Sequence, residues 1–292
     1  APEFVDAYEL GSKNTMFAGA LTLNGDVFYY DYKGYQISRI VDRTSINDNF
    51  DAHIKGAELE AMWEPLPGFK LNFAGGYEDT SVAKGSRSID LMDRTAGNPD
   101  WMVIKPFITQ ASNCIFPTYV IAYMIQYTSY SIGGACGQAY NLGDDPATGR
   151  PYVLNPILNA HNDPIPPGTY AGFDPRTAPN DGEGFYKDLS NNELPNAPHF
   201  TTSLSAEYTI PVSEDWAATL HSDFYWQSQS WARIFNDVPY DKLRGYSNVN
   251  LALILTSANG WQVLGYLKNV FDTTAITGDF LNSDDTGLTT NV

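Results

Sequence analysis

The chain has 292 residues, of which 43% are hydrophobic and 14% aromatic, and its formal net charge is −17. The hydrophobic content excludes a disordered chain. The acidic balance argues against nucleic acid as a partner, because phosphate contacts need basic patches. The sequence contains no run of eighteen apolar residues, so no transmembrane helix is predicted. It also lacks the motifs of catalytic and nucleotide-binding sites, and we therefore predict neither enzyme activity nor a cofactor.

The predicted elements are eight β-strands. Alternation of polar and apolar residues, which marks a strand with one face in water, predicts them at 8–13, 21–35, 53–63, 69–78, 199–210, 216–231, 246–256 and 261–271. The alternation is clearest in 216–231, which is longer than the five or six residues that are usual in a globular sheet. A tilted membrane strand needs roughly 9–11 residues. It has polar side chains inside, apolar ones outside and aromatic ones at the interfaces.

The connections between these strands alternate in length. Short turns are predicted at 14–19, 64–68, 211–215 and 257–260. Longer connections are predicted at 36–52, about 80–196 and 232–245, with a hydrophilic tail at 273–292. Short turns at one end and long loops at the other are typical of outer-membrane barrels. Inside the longest loop, the apolar patch 119–130 predicts a short helix or strand.

Short motifs in these strands resemble the C-terminal part of the barrel of TonB-dependent outer-membrane receptors. In the first half of the chain they are YELGSK at 8–13, DVFYYDYKGYQ at 26–36, and KGAELE at 55–60 followed by Pro65 and Gly68. In the second half they are LPNAP at 194–198 and KNVFD at 268–272. Their order and spacing together carry the resemblance.

The resemblance implies an all-β fold, an antiparallel transmembrane barrel of about 22 strands around a plug. Residues 1–292 would form about eight consecutive strands of its C-terminal portion, with an extracellular loop at about 80–196. The plug domain, the TonB box, the first strands and the last strand are expected to be absent from this sequence. It has no signal peptide, so the true N-terminus is also expected to be missing.

The function that the resemblance implies is TonB-dependent, energised uptake of a scarce solute, with a ferric siderophore as the first candidate. The implied partners are the TonB–ExbB–ExbD complex, reached through the missing N-terminal part, a small-molecule solute and outer-membrane lipid. The implied location is the outer membrane of a Gram-negative bacterium. Three alternatives stay open: a receptor of the same family for a carbohydrate or other organic solute, a passive porin-like barrel, and a soluble β-sandwich. The sorted loops and the lipid-type pattern argue against the last.

Candidate ligand-binding residues lie on the polar parity of 216–231, toward the end with the longer connection. They are Asp223, Tyr225, Gln227, Gln229 and Trp231. Aromatic and amide groups near a barrel mouth suit an organic ligand or a sugar. The alternative is that they line a hydrated lumen or contact the plug.

The two parities also predict which way individual side chains face. Lipid-facing side chains are predicted at Leu71, Phe73, Leu204, Phe224, Leu251 and Leu253. Lumen-facing side chains are predicted at Glu58, Glu60, Asn72, Ser205, Asp223 and Gln227.

The two cysteines, Cys114 and Cys136, lie in the longest loop and are predicted to form a disulfide, because the outer surface of a bacterium is oxidising. Closing a loop of about twenty residues would contribute roughly 3 kcal/mol of stability. The four histidines lack metal-ligand spacing, and the pairs at 144–145 and 284–285 lack the full pattern of a calcium loop. No metal site and no catalytic residue are predicted.

Overall fold

The computed structural model describes residues 2–41, 44–105, 113–127, 136, 140–141, 144–145, 150–151, 172–173 and 175–278. The chain divides into two compact units. The first comprises 1–35, 50–84 and 189–279, and the second comprises 36–49, 85–188 and 280–292. Among the helices within the described ranges, none is long and apolar enough to cross a membrane.

A single eight-stranded sheet forms the framework of the first unit. Its strands are β1 (Phe4–Met16), β2 (Leu21–Val41), β3 (Thr44–Leu66), β4 (Phe69–Val82), β5 (Phe200–Pro211), β6 (Trp216–Gln227), β7 (Tyr246–Ser257) and β8 (Gln262–Leu267). Their order across the sheet is their order in the chain. The pairings β1–β2 and β3 through β8 are antiparallel. This up-and-down arrangement confirms the predicted all-β antiparallel fold.

The connections sort to the two ends of the sheet as predicted, except for the long connection expected between β2 and β3. The turn end carries the short links at 17–20, 67–68, 212–215 and 258–261, and the loop end carries the excursion 83–199 and the loop 228–245. The turn between β3 and β4 requires glycine, because Gly68 has a φ of +80° and a Cβ there would lie 2.6 Å from the Thr209 carbonyl oxygen.

Residues 36–52 were predicted to be a loop, but residues 36–41 continue β2 and residues 44–52 begin β3, while residues 42–43 lie outside the described part of the chain. Within them, Asn47 accepts a hydrogen bond from the Ser38 hydroxyl at 2.6 Å and donates one to the side-chain oxygen of Gln36 at 3.2 Å. The prediction was wrong because polar side chains on both faces of a hairpin remove the period-two signal, although the backbone stays extended.

Strand register divides the side chains of the sheet between two faces. Successive pairings place Phe73, Leu204, Phe224 and Val249 side by side on one face, named here the apolar face. The same pairings place Asn72, Ser205, Asp223 and Asn250 side by side on the other, named the polar face. All six residues predicted to face lipid fall on the apolar face, and all six predicted to face the lumen fall on the polar face. The sorting is therefore confirmed, whereas contact with lipid stays a prediction.

Aromatic side chains border the apolar face at both ends. Near the turn end these are Trp63, Phe69, Tyr208 and Trp216, and near the loop end they are Tyr8, Tyr29, Tyr77, Phe200 and Trp226. Ring centroids lie 5.8 Å apart for Phe69–Tyr208 and 5.0 Å apart for Tyr77–Phe200. From Phe69 to Tyr77 the strand rises about 27 Å. At a tilt of roughly 40° this gives a depth of about 20 Å, close to the apolar band of outer-membrane barrels.

The second unit has an apolar core of its own. The strands Trp101–Ile104 and Cys114–Pro117 pair antiparallel, and helix α1 (Thr118–Tyr127) follows directly. Ile104, Phe116, Val120 and Ile121 are buried together, with Phe173 packed against them. The apolar patch predicted at 119–130 is thus helical up to residue 127, and residues 128–130 lie outside the described part of the chain.

The remaining described elements are short. Paired two-residue strands are Arg87–Ser88 with Lys187–Asp188, Tyr140–Asn141 with Gly172–Phe173, Asp144–Asp145 with Arg150–Pro151, and Ser230–Trp231 with Lys242–Leu243. Short 3₁₀ turns occur at Phe17–Gly19, Pro175–Thr177 and Pro239–Asp241. The predicted disulfide is present, with 5.4 Å between the Cα atoms of Cys114 and Cys136.

Candidate functional site

Three of the five candidate ligand-binding residues form a column on the polar face of β6. Asp223, Tyr225 and Gln227 alternate along the strand, and the Tyr225 hydroxyl donates a hydrogen bond to Oε1 of Gln227 at 2.9 Å. A polar column on a regular strand is held rigidly, because its backbone is hydrogen bonded on both sides to β5 and β7.

The other two candidates, Gln229 and Trp231, do not continue this column. The prediction of one strand over 216–231 was wrong, since β6 ends at Gln227. The backbone of Ser228 instead donates to the Phe200 carbonyl at 2.9 Å, and Trp231 pairs with Lys242 in a separate short ladder. The Lys242 ammonium lies over the Trp231 ring, 5.2 Å from the ring centroid. Sequence alternation runs past a strand end when polar loop residues keep the same parity by chance.

The neighbouring strand β7 adds residues that were not predicted from the sequence. Opposite Gln227, Tyr225 and Asp223 stand Tyr246, Asn248 and Asn250, respectively. The rings of Tyr225 and Tyr246 have centroids 5.9 Å apart. Oδ1 of Asn248 is shielded from solvent and has no hydrogen-bond partner among the described residues. Alternation in 246–250 was the available signal, but a register between strands was needed to place these side chains beside Tyr225.

A shallow trough crosses the polar face beside this column. Its floor is formed by small side chains of β4 and β5, namely Ala74, Gly76, Thr201, Ser203 and Ser205. Two of its hollows have volumes of about 310 and 190 Å³. Glu60 lines both hollows, and Tyr225 lines the smaller one. The trough is therefore a concave surface lined mainly by small side chains, between Glu60 of β3 and Tyr225 of β6.

The polar face is acidic overall. It carries Glu9, Asp26, Glu58, Glu60, Glu78, Glu207 and Asp223 against Lys13 and Lys70. His221 lies between two of these carboxylates, 3.0 Å from Asp223 and 3.7 Å from Glu207. Within the described ranges, no group of three His, Cys, Asp or Glu side chains is arranged to hold a metal ion. The face is suited to hydrogen bonding with polar groups.

The rim, defined as residues 189–199 and 228–245, is tightly fastened at the loop end. The Arg233 guanidinium contacts both carboxylate oxygens of the fully buried Asp241, at 2.9 and 2.7 Å. Asn192 donates through Nδ2 to the carbonyls of Ile234 and Phe235, each at 2.9 Å. Such a network holds the two segments of the rim together.

The second unit contains a cluster of charged side chains, Lys187, Asp90 and Asp93, which stabilises its structure. Lys187 lies 3.2 Å from Asp90, which is 1% exposed, and 3.3 Å from Asp93. Burial acts to raise the pKa of Asp93, but its bonds with Thr95 and Lys187 together hold that pKa below its usual value. Burial lowers the pKa of the Lys105 ammonium. Lys187, Asp90 and Asp93 therefore bind one another inside the unit.

The fold and the polar face define the class of the protein. A meander of long strands, with one apolar face between aromatic borders and one polar face, is the wall of a membrane-type β-barrel. Residues 1–112 match the family described as TonB dependent receptor-like, beta-barrel. This match covers the first 112 of the 292 residues, and the resemblance predicted from the motifs is confirmed.

Solved structures agree with this fold. The chain is similar to the ferric yersiniabactin uptake receptor FyuA from Yersinia pestis, with 14% identity, a TM-score of 0.54, and coverage of 96% of this chain and 27% of that one. It is also similar to the siderophore receptor PiuA from Acinetobacter baumannii, with 11% identity, a TM-score of 0.51, and coverage of 97% and 26%. The chain thus spans about a quarter of each receptor. A comparison with curated proteins finds no match.

Proposed function

We propose that this chain forms the C-terminal section of the barrel wall of a receptor that takes up a ferric siderophore in a TonB-dependent manner. The apolar face contacts lipid in the outer membrane of a Gram-negative bacterium, and the polar face lines the lumen. Energy comes from the TonB–ExbB–ExbD complex.

The observation that carries this proposal is the uncovered apolar face. Leu10, Leu220 and Leu253 are 76%, 57% and 47% exposed, although each belongs to a regular strand. In water such a continuous apolar surface would promote aggregation. In a bilayer it is the required surface, and the hydrogen-bonded ladders satisfy the backbone groups that lipid cannot.

The choice of a siderophore is supported by the two similar receptors, of which one takes up ferric yersiniabactin and the other is a siderophore receptor. The polar wall is compatible with this choice, because it presents phenol and amide groups close to the loop end. We assign solute contact to Asp223, Tyr225 and Gln227 with Tyr246 and Asn248 beside them, and to Gln229 and Trp231 at the rim.

The test of the uptake proposal uses the full-length protein in a strain that lacks its own siderophore receptors. Uptake of radioactive iron is measured with a panel of siderophores, with and without TonB. The proposal predicts uptake that disappears when TonB is deleted. Iron uptake that persists without TonB would indicate passive diffusion, and TonB-dependent growth on a carbohydrate without iron uptake would indicate the other class of solute.

The test of the site compares two substitutions on the polar face. Tyr225→Ala removes the ring that lines the trough and contacts Tyr246. Thr219→Val is the matched control, since its hydroxyl is hydrogen bonded to Thr209 at 2.8 Å near the turn end. We expect Tyr225→Ala to weaken solute binding about tenfold or more, as loss of one aromatic contact does, while Thr219→Val leaves binding unchanged. Equal affinities for the two variants would contradict the assigned site.

A further inference from the structure

His199 occupies the junction where the rim leads into β5. It follows the LPNAP motif at 194–198 and precedes the first residue of β5, Phe200. Its ring stacks on that of Tyr77 in β4, with centroids 6.3 Å apart. His199 and the β4 residues that it contacts all belong to the first unit.

The two ring nitrogens of His199 contact two different segments. Nδ1 lies 2.8 Å from the backbone carbonyl oxygen of Glu78 in β4. Nε2 lies 3.3 Å from Oε1 of Glu193 in the rim. The side chains of His199 and Glu193 are 35% and 31% exposed, so water reaches the contact but does not dominate it.

A neutral imidazole cannot satisfy both contacts. A carbonyl oxygen only accepts, so the contact with Glu78 requires a proton on Nδ1. A neutral ring with its proton there presents a lone pair from Nε2 to the Glu193 carboxylate, which also only accepts when ionised. Both hydrogen bonds therefore exist together only in the imidazolium form of His199.

The surroundings of the ring favour that charged form. The hydrogen bond to the Glu78 carbonyl, followed by the hydrogen bond and charge of Glu193, raises the pKa of His199 above its ordinary value of 6.5, although partial burial opposes this. The other titratable groups near the ring are Tyr77, Glu78 and Asp79 of β4.

We propose that His199 is a pH-operated clasp, which as imidazolium ties Glu193 of the rim to β4 and on losing a proton releases Glu193. Neutral His199 keeps its bond to β4 through Nδ1 and loses the bond to the rim. The clasp strengthens neighbouring contacts of the same segment, in which the Leu194 amide donates to Thr80 Oγ1 at 2.9 Å and the Glu193 amide to Asn236 Oδ1 at 2.6 Å.

The direction of the pH effect follows from the charged form. A histidine whose pKa is raised by folding contributes stability that is fully present below its unfolded value and is lost as the pH rises through the folded value. The rim segment 189–199 is therefore held most firmly in mildly acidic medium and loosens at alkaline pH. The rim would therefore respond to pH through the His199 side chain.

The experiment measures amide hydrogen exchange of the peptide 189–199 in the full-length protein in detergent, at about pH 5.5 and about pH 8, on either side of the histidine range. Rates are corrected for intrinsic exchange. In the wild type, protection should fall about threefold at the higher pH, the size expected for a half-exposed ion pair. Glu193→Gln should abolish this fall, because the Gln amide can donate to neutral Nε2 at either pH.

Two further variants complete the test. His199→Gln should remove the pH dependence, since no titrating group remains. Glu214→Gln, in the short turn between β5 and β6, is the matched control and should retain the wild-type fall. Wild-type protection that does not change with pH would overturn the clasp. An unchanged pH dependence in Glu193→Gln would overturn it as well, even if the protein folds normally.

Discussion

The sheet of the first unit and the second unit place their apolar side chains in opposite ways. In the second unit, Ile115, Phe116 and Val120 are 0% exposed, as in a protein that folds in water. In the described strands of the sheet, the buried apolar side chains are Phe50, Ala52 and Val82, near the loop end. Elsewhere the leucines and aromatics of the apolar face are half-buried or exposed.

This difference indicates that the second unit is adapted to water and the apolar face of the sheet to lipid. A core excludes water by packing side chains against one another. A membrane wall excludes water by placing its side chains against lipid, and needs no partner layer of protein. The two regions should therefore respond differently to the same kind of substitution.

The largest expected effect is the loss of a core ring in the second unit. Phe116 is fully buried and its ring centroid lies 4.9 Å from that of Phe173. Phe116→Ala should lower the stability of this unit by about 3–5 kcal/mol through the cavity left behind. Protease cleavage within 85–188 should rise sharply while the heat-modifiable migration of the barrel is unchanged. Met102→Ala, at an exposed position of the same unit, is the control.

A charge on the apolar face should have the next largest effect. Leu204 lies in the middle of β5 and is 41% exposed. Leu204→Arg should cost about 2–4 kcal/mol, because an arginine near the midplane must leave water for hydrocarbon. Ser205→Arg places the same charge on the polar face, one residue away, and should be tolerated. Urea titration of the full-length protein in lipid vesicles measures both, and equal costs would refute the assignment of the two faces.

A smaller effect is expected at the turn end, where two glycines offer a matched pair. Gly68 and Gly260 have similar positive φ values, +80° and +85°, but only Gly68 has a backbone oxygen within reach of an added Cβ. Gly68→Ala should therefore cost about 1–2 kcal/mol more than Gly260→Ala, which carries only the conformational strain. The same urea titration in lipid vesicles compares the two variants, and equal midpoints would contradict the close contact.

The smallest expected effect is on the acid sensitivity of the second unit. Because the pKa of Asp93 is held below its ordinary value of 3.8, its contribution to the second unit is present above that pH and is lost as the pH falls through the lower, folded value. Asp93→Asn should make the stability of this unit less sensitive to acid below about pH 4. Protease resistance of the excursion as a function of pH measures this, and a wild-type acid profile in the variant would count against it.

The sequence predicted the wall better than the excursion for a physical reason. A strand between water and lipid has a strict period of two, so β4, β5 and β7 could be located within a few residues. That signal disappears where both faces are polar, which is why the extensions of β2 and β3 were assigned to a loop. It also persists beyond a strand end by chance, which is why Gln229 and Trp231 were placed on β6.

Contacts between distant segments carry no periodic signal at all. The Arg233–Asp241 pair, the Asn192 bonds to the rim and the placement of Asn248 beside Tyr225 depend on strand register and loop packing. The disulfide could be predicted because only two cysteines exist and the proposed compartment is oxidising. Asp223, Tyr225 and Gln227 could be predicted because they follow the alternation of β6.

The most direct test of the central claim is the lipid exposure of consecutive residues in β5. Single cysteines at 202–207 of the full-length protein carry an environment-sensitive fluorophore, and quenching by brominated lipid is measured in vesicles. We expect strong quenching at Thr202, Leu204 and Ala206, and weak quenching at Ser203, Ser205 and Glu207, whose side chains share the polar face. Quenching without this alternation, or with the opposite one, would contradict the identification of the apolar face as the membrane surface.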